Sequence, residues 1–188
     1  MRKLFFLIVL LLPLFANAQE VKLSSEASIH VVTVGPFQPE LYSAFGHSGI
    51  RVYDPKKGID DFYNYGVFDF NQPNFYLNFA RGFLNYRLAV MDYQRVKNFY
   101  AYQNRYIHEQ VLNLDSAQTQ KLYAFLEWNA QPENMFYYYD YFYENCATRV
   151  RDAVEQTFGE AVSFDDSYIS TDYTIRDLTD IYLQEQPW

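Results

Sequence analysis

Two side chains in this sequence could work as a nucleophile and its base. Cys146 is the sole cysteine among 188 residues. It follows Asn145 where an aromatic run gives way to a helical pattern. A helix start presents unpaired N–H groups and the positive end of the backbone dipole. That environment favours thiolate over thiol. A lone cysteine in an exported protein has no internal disulfide partner, so it is either a small buried apolar residue or a reactive thiol. A reactive thiol needs a base within hydrogen-bonding reach and a group that orients the base. His47, in Phe45-Gly46-His47-Ser48-Gly49, is the candidate base, since its small neighbours leave the imidazole accessible. Asn64 and Tyr65 both offer an oxygen that could hold the ring. The N–H of Cys146 could help stabilise a tetrahedral oxyanion. His30 shows no obvious partner, and His108, beside Glu109, reads as a surface or strand-capping residue. The competing reading is a buried cysteine and a hydrogen-bonded structural histidine.

The elements that must position these groups are legible from periodicity and punctuation. Residues 28–34 read as a first strand, followed by a loop at Gly35-Pro36 and Pro39. Residues 44–53 and 61–70 read as two strands of a hairpin joined by a turn at 54–58. That hairpin sets Asn64, Tyr65 or Gly66 beside His47, and a slip of one residue changes the face. A short helix over 73–81 ends at Gly82, and 83–90 alternates as a strand. Asp92 can cap a helix running to about Asn104, and 105–114 is a further strand. Asp115 to Gln118 resembles a capping box, opening a helix with Leu122, Phe125, Leu126 and Trp128 inward. Residues 135–143 read as extended. Asn145 is the expected N-cap of a helix that ends near Phe158 and stops at Gly159. Cys146, Val150, Ala153, Val154 and Phe158 fall on its inward side, while Arg149, Arg151 and Asp152 are expected to be more exposed. Residues 174–184 form a last helix. The fold class expected is α+β.

Arg2 and Lys3 precede an apolar run over 4–15 that ends in Ala16-Asn17-Ala18. This pattern is expected to be a secretory signal peptide over residues 1–18, leaving a single domain over 19–188. No cysteine follows the cleavage point, so a lipid-anchored N-terminus is not expected. Removing Arg2 and Lys3 takes the formal charge from -8 to -10, which gives no electrostatic reason to expect nucleic acid as a partner. The chain is rich in tyrosine (19) and phenylalanine (17), which suits either an aromatic core or a lipid- or sugar-facing surface. The spacing of histidine and cysteine suggests no metal site, and no cofactor is expected.

Three blocks together carry a resemblance. They are Phe45 to Val52 (FGHSGIRV), Tyr63 to Phe70 (YNYGVFDF) and Tyr139 to Asp152 (YDYFYENCATRVRD). The sequence resembles the N-terminal periplasmic domain of the Lnb-type lipoprotein N-acyltransferases of Gram-negative bacteria, from about His30 to Trp188. The resemblance implies a papain-like fold of the permuted NlpC type, an antiparallel sheet packed against helices with the nucleophile at a helix N-terminus. The histidine strand there precedes the cysteine helix, as in lecithin:retinol acyltransferase-like enzymes. It implies Cys146 as nucleophile, His47 as base, and Asn64 or Tyr65 as the third polar group. Family members typically continue past a Pro-Trp segment and often carry membrane-spanning helices.

The function expected on this basis is an exported cysteine acyltransferase. A phospholipid would donate its acyl chain to Cys146 as a thioester, and the terminal amine of a lipoprotein would accept it. The protein would work in the periplasm at a membrane surface, probing substrate with Tyr139, Phe142 and Arg149. Two rivals are hydrolysis of cell-wall peptides or lipid esters on the same dyad, and a non-catalytic lipid- or glycan-binding envelope protein.

Overall fold

The computed structural model describes residues 21–184, so the expected signal peptide and the Pro187-Trp188 tail lie outside the described residues. Six strands form one antiparallel sheet in the order β5-β1-β2-β3-β4-β6. They are β1 (Ser28–Val34), β2 (His47–Asp54), β3 (Ile59–Val67), β4 (Leu84–Asp92), β5 (Ile107–Val111) and β6 (Phe136–Tyr139). Five helices accompany them: α1 (Phe75–Ala80), α2 (Tyr93–Tyr102), α3 (Ser116–Asn129), α4 (Cys146–Phe158) and α5 (Ile175–Leu183). The fold is α+β.

Strand alternation divides the sheet into two buried faces. Ile29, Ile50, Val52, Tyr63, Tyr65 and Leu88 point to one face, where Leu122, Tyr123 and Leu126 of α3 and Val150 and Ala153 of α4 cover them. Val32, Val34 and Phe62 point to the other, under Tyr93, Val96 and Tyr100 of α2. Both faces are covered, and the strands accordingly carry apolar or aromatic residues on both sides.

The starts of α2, α3 and α4 follow the expected caps, and Thr174, expected as the first residue of the last helix, caps α5 instead. Asp92, Asp115, Asn145 and Thr174 each accept a backbone N–H from the first turn of α2, α3, α4 and α5. Gly159 ends α4 with a φ of 58°, a conformation that glycine adopts without steric cost.

Several expectations need correction. The second hairpin strand stops at Val67, and Phe68 and Phe70 leave the sheet to pack on each other and on Phe75 of α1. Trp128 is 54% exposed because α3 presents Leu122 and Leu126, one turn apart, to the core. On α4, Thr157 is buried, its hydroxyl satisfied by the Ala153 carbonyl. Arg149 and Asp152 are half-buried, leaving Arg151 as the exposed member of that trio.

Candidate active site

His47 opens β2, and the chain ahead of it is held by a glycine. Gly46 has a φ of 81°, and a Cβ there would lie 2.7 Å from the Val34 carbonyl oxygen. The β2–β3 register pairs Ile50 with Tyr63 and Arg51 with Phe62. Extended toward the start of β2, it sets Gly49 across from Asn64 and His47 across from Gly66. A Cβ on Gly66 would lie 3.8 Å from His47 Cε1. His47 and Asn64 therefore share a face as diagonal neighbours. Gly49 on the same strand makes room for the Phe62 ring, since a Cβ there would come within 2.3 Å of it.

The resulting contact is short and directional. His47 Nε2 lies 2.7 Å from Asn64 Oδ1. The Asn64 amide nitrogen faces Met91 Sδ at 3.4 Å, which turns the oxygen toward the ring. Nε2 thus carries the proton and donates to Asn64, which leaves Nδ1 unprotonated. Tyr65 is one residue on and so points to the opposite face, where it is 1% exposed. Its hydroxyl donates to Asn129 Oδ1 at 2.8 Å. Of the two candidate oxygens, it is Asn64 that meets the ring.

Cys146 is the first residue of α4. Asn145 Oδ1 accepts from the N–H groups of Ala147 and Thr148, while the Thr148 hydroxyl accepts from the Asn145 N–H. The Asn145 amide also donates to the Tyr141 carbonyl at 3.0 Å, tying the cap to the turn before it. That turn is closed by Asp140, whose carboxylate accepts from the N–H groups of Phe142 and Tyr143.

Electrostatically, the site rests neutral. Burial pushes the Cys146 thiol above its ordinary value, against N–H groups of Ser48, Ala147 and Cys146 itself, which work the other way. Desolvation thus outweighs the helix start, which by itself favours the thiolate. Burial also pulls His47 down to about 4, opposed by its bond to Asn64 and reinforced by the charge of Arg105. The imidazole is less accessible than its small sequence neighbours suggested, because its ring packs beside Phe62 and Tyr100.

His47 and Cys146 line the same two cavities. The larger, about 490 Å³, is walled mainly by apolar and aromatic groups, including Phe45, Tyr139, Tyr141 and Phe142, with Ile175, Leu178 and Tyr182 of α5. The smaller, about 170 Å³, adds Glu40, Asn64, Tyr100 and Arg105. Among the described residues no cluster of histidine, cysteine and acidic side chains could hold a metal ion.

Over residues 17–180 the sequence matches the family model described as the Lnb N-terminal periplasmic domain. The chain belongs to this family. The match spans nearly all of the described structure, and a family of periplasmic domains supports a periplasmic location. No curated protein and no solved structure matches the chain. No helix among the described residues is long and apolar enough to cross a membrane.

The structure separates the other sequence candidates. Tyr139 and Phe142 line the larger cavity, whereas Arg149 does not. Arg149 instead pairs with Glu144 at 3.0 Å, lies over the Tyr137 ring and borders a separate cleft with Tyr65 and Asn129. His30 has partners after all, Ser28 Oγ at 2.9 Å and Glu109 at 3.0 Å, and His108 is exposed against Tyr106. Sequence reasoning missed the α5 wall and Arg105. The apolar spacing of Ile175, Leu178 and Tyr182 was a usable signal for the first, while Arg105 carried none.

Proposed function

We propose that this Lnb-family domain is an exported cysteine acyltransferase that carries an acyl chain from a phospholipid, through a Cys146 thioester, to the terminal amine of a lipoprotein. The observation that carries this reading is a thiol and an Asn64-oriented imidazole lining one apolar cavity. Such a cavity suits a hydrocarbon chain, whose burial contributes about 0.8 kcal/mol per methylene. A neutral pair fits a thiol that is activated only as substrate arrives. His47 Nδ1 takes the thiol proton while Sγ attacks the ester carbonyl. N–H groups that face the sulfur at rest are near the developing oxyanion. Collapse breaks the ester C–O bond, and His47 returns the proton to the departing lysophospholipid oxygen. In the second half the amine attacks the thioester, its proton passes through His47 to the leaving sulfur, and the amide forms.

Intact-mass analysis after incubation with phospholipid tests this. The expected result is a gain of one acyl group that is absent in Cys146→Ser and is discharged by an amine-terminated diacylglyceryl-cysteine peptide. Discharge to water alone, with free fatty acid as the product, would make the protein a hydrolase. An unlabelled native chain would remove the enzymatic reading.

A further inference from the structure

Arg105 is a buried cation that the dyad chemistry above does not use. It is 8% exposed and sits just ahead of β5. Its Nε donates to the Gly35 carbonyl at 2.6 Å, Nη1 donates to Gln103 Oε1 at 3.3 Å, and the guanidinium lies over the Tyr100 ring. Nη2 is buried and has no hydrogen-bond partner. No carboxylate among the described residues lies within ion-pairing distance of it. Glu40 and the hydroxyl-bearing Tyr42 and Tyr100 are the titratable groups whose fields reach it. A buried guanidinium in that state is costly unless something else meets it, since native proteins rarely leave a buried charge unpaired.

Its position suggests what meets it. Arg105 lines the 170 Å³ cavity, which also includes His47, Asn64 and Cys146. The apolar 490 Å³ cavity shares His47 and Cys146 with it but lacks Arg105. The reactive pair therefore lies between a hydrocarbon-lined space and a small one of mixed lining that holds an unpaired guanidinium nitrogen. A molecule with an ester carbonyl at the sulfur, a chain on one side and an anionic oxygen on the other would fill both.

We propose that Arg105 is the anion subsite of the donor, holding the phosphodiester of a phospholipid headgroup while the acyl chain occupies the apolar cavity. This rests on the acyltransferase reading and adds to it a residue that selects the donor. A guanidinium presents paired donors that match phosphate oxygens, and a partly desolvated setting strengthens the bond.

The test compares two donors that differ only in the headgroup, dihexanoylphosphatidylglycerol and dihexanoylglycerol, on the native chain, Arg105→Gln and Arg105→Lys. Binding is read by calorimetry and Cys146 acylation by intact mass. The native chain should favour the phosphodiester by on the order of ten-fold or more, and Arg105→Gln should bring the ratio close to one. Arg105→Lys should keep part of the preference, as a point charge without the fork. A native chain that binds both donors equally would overturn the proposal, as would a preference that survives in Arg105→Gln. Inorganic phosphate alone binding as tightly as the lipid would make the site a free-anion site and overturn the assignment to the donor. Should either variant fail to fold, the Arg105 Nε–Hε resonance of the native chain decides: it should shift with dihexanoylphosphatidylglycerol and not with dihexanoylglycerol, and an unmoved resonance counts against the subsite. Headgroup preference without any Cys146 acylation would leave the subsite standing and the acyltransferase reading lost; acylation without headgroup preference would do the reverse.

Discussion

Asn64 Oδ1 accepts a 2.7 Å hydrogen bond from His47 Nε2 across the β2–β3 hairpin. That bond fixes the imidazole tautomer with Nδ1 unprotonated, the atom that the proposed mechanism uses as base. In that mechanism Asn64 is a positioning residue. Removing its amide in Asn64→Ala should lower acyl transfer on the order of 10²-fold, the size of effect that misplacing a reacting group produces. Asn64→Asp is the more diagnostic change. A carboxylate beside the ring favours imidazolium and should move the acid limb of the rate profile upward from about 4. A pH–rate profile of both variants against the native chain checks this. An Asn64→Asp profile coincident with the native one would deny Asn64 its place at the ring.

The pH dependence of the native chain follows from a neutral resting pair. His47 titrates at about 4, below its ordinary 6.5, because burial disfavours the charged ring. Between those values the unfolded chain binds more protons at this position than the folded chain. The contribution of His47 to stability is therefore present above pH 6.5 and is lost as the pH falls toward 4. Urea midpoints should fall over that window, and His47→Asn should flatten the fall. The thiol is pushed up by burial, so its alkylation by iodoacetamide should climb through and beyond the ordinary thiol range. A rate that plateaus below pH 7 would mean a resting thiolate instead.

The local features of this fold were the ones legible in the sequence. β1 spans the residues its alternation marked, and the caps at Asp92, Asp115 and Asn145 are where short polar side chains precede helical patterns. The hairpin was legible as a pairing, with strand ends off by up to three residues, which brought Asn64, Tyr65 or Gly66 to His47 without choosing among them. Strand parity made the choice: Tyr65 shares a face with Tyr63 in the core, so its hydroxyl cannot reach the ring. Features that depend on distant segments stayed hidden. Nothing near Cys146 in sequence reveals that burial would outweigh the helix start. Nothing near Arg105 reveals that its guanidinium would border the dyad.

The two glycines flanking His47 leave little latitude. Gly49→Ala would press a methyl group into the Phe62 ring and against the Tyr63 carbonyl. The strand must shift or the ring must turn off its rotamer, at a cost of about 1–3 kcal/mol. Gly46→Ala meets backbone, the Val34 carbonyl oxygen, and must also adopt a positive φ. Chemical denaturation should show both variants destabilised. Acyl transfer should fall further in Gly46→Ala at a temperature where both remain folded, because the position next to it carries the proposed base. Equal residual activities would show that the glycine conformation does not set the ring.

The apolar wall contributed by α5 gives a prediction about chain length. Leu178 and Ile175 border the larger cavity, yet α5 has no fully buried residue, so its side chains are only partly covered in the free protein. An acyl chain lying against them would remove more apolar surface from water as it lengthens. Leu178→Asp places a charge at that contact while leaving Cys146, His47 and Asn64 untouched. Since about 0.8 kcal/mol accompanies each buried methylene, the defect should grow with donor chain length and be small for a two- or four-carbon donor. Acylation rates across donors of two to sixteen carbons, native against Leu178→Asp, measure this directly. A defect of constant size across the series would mean that α5 supports the fold of the site and does not hold the chain.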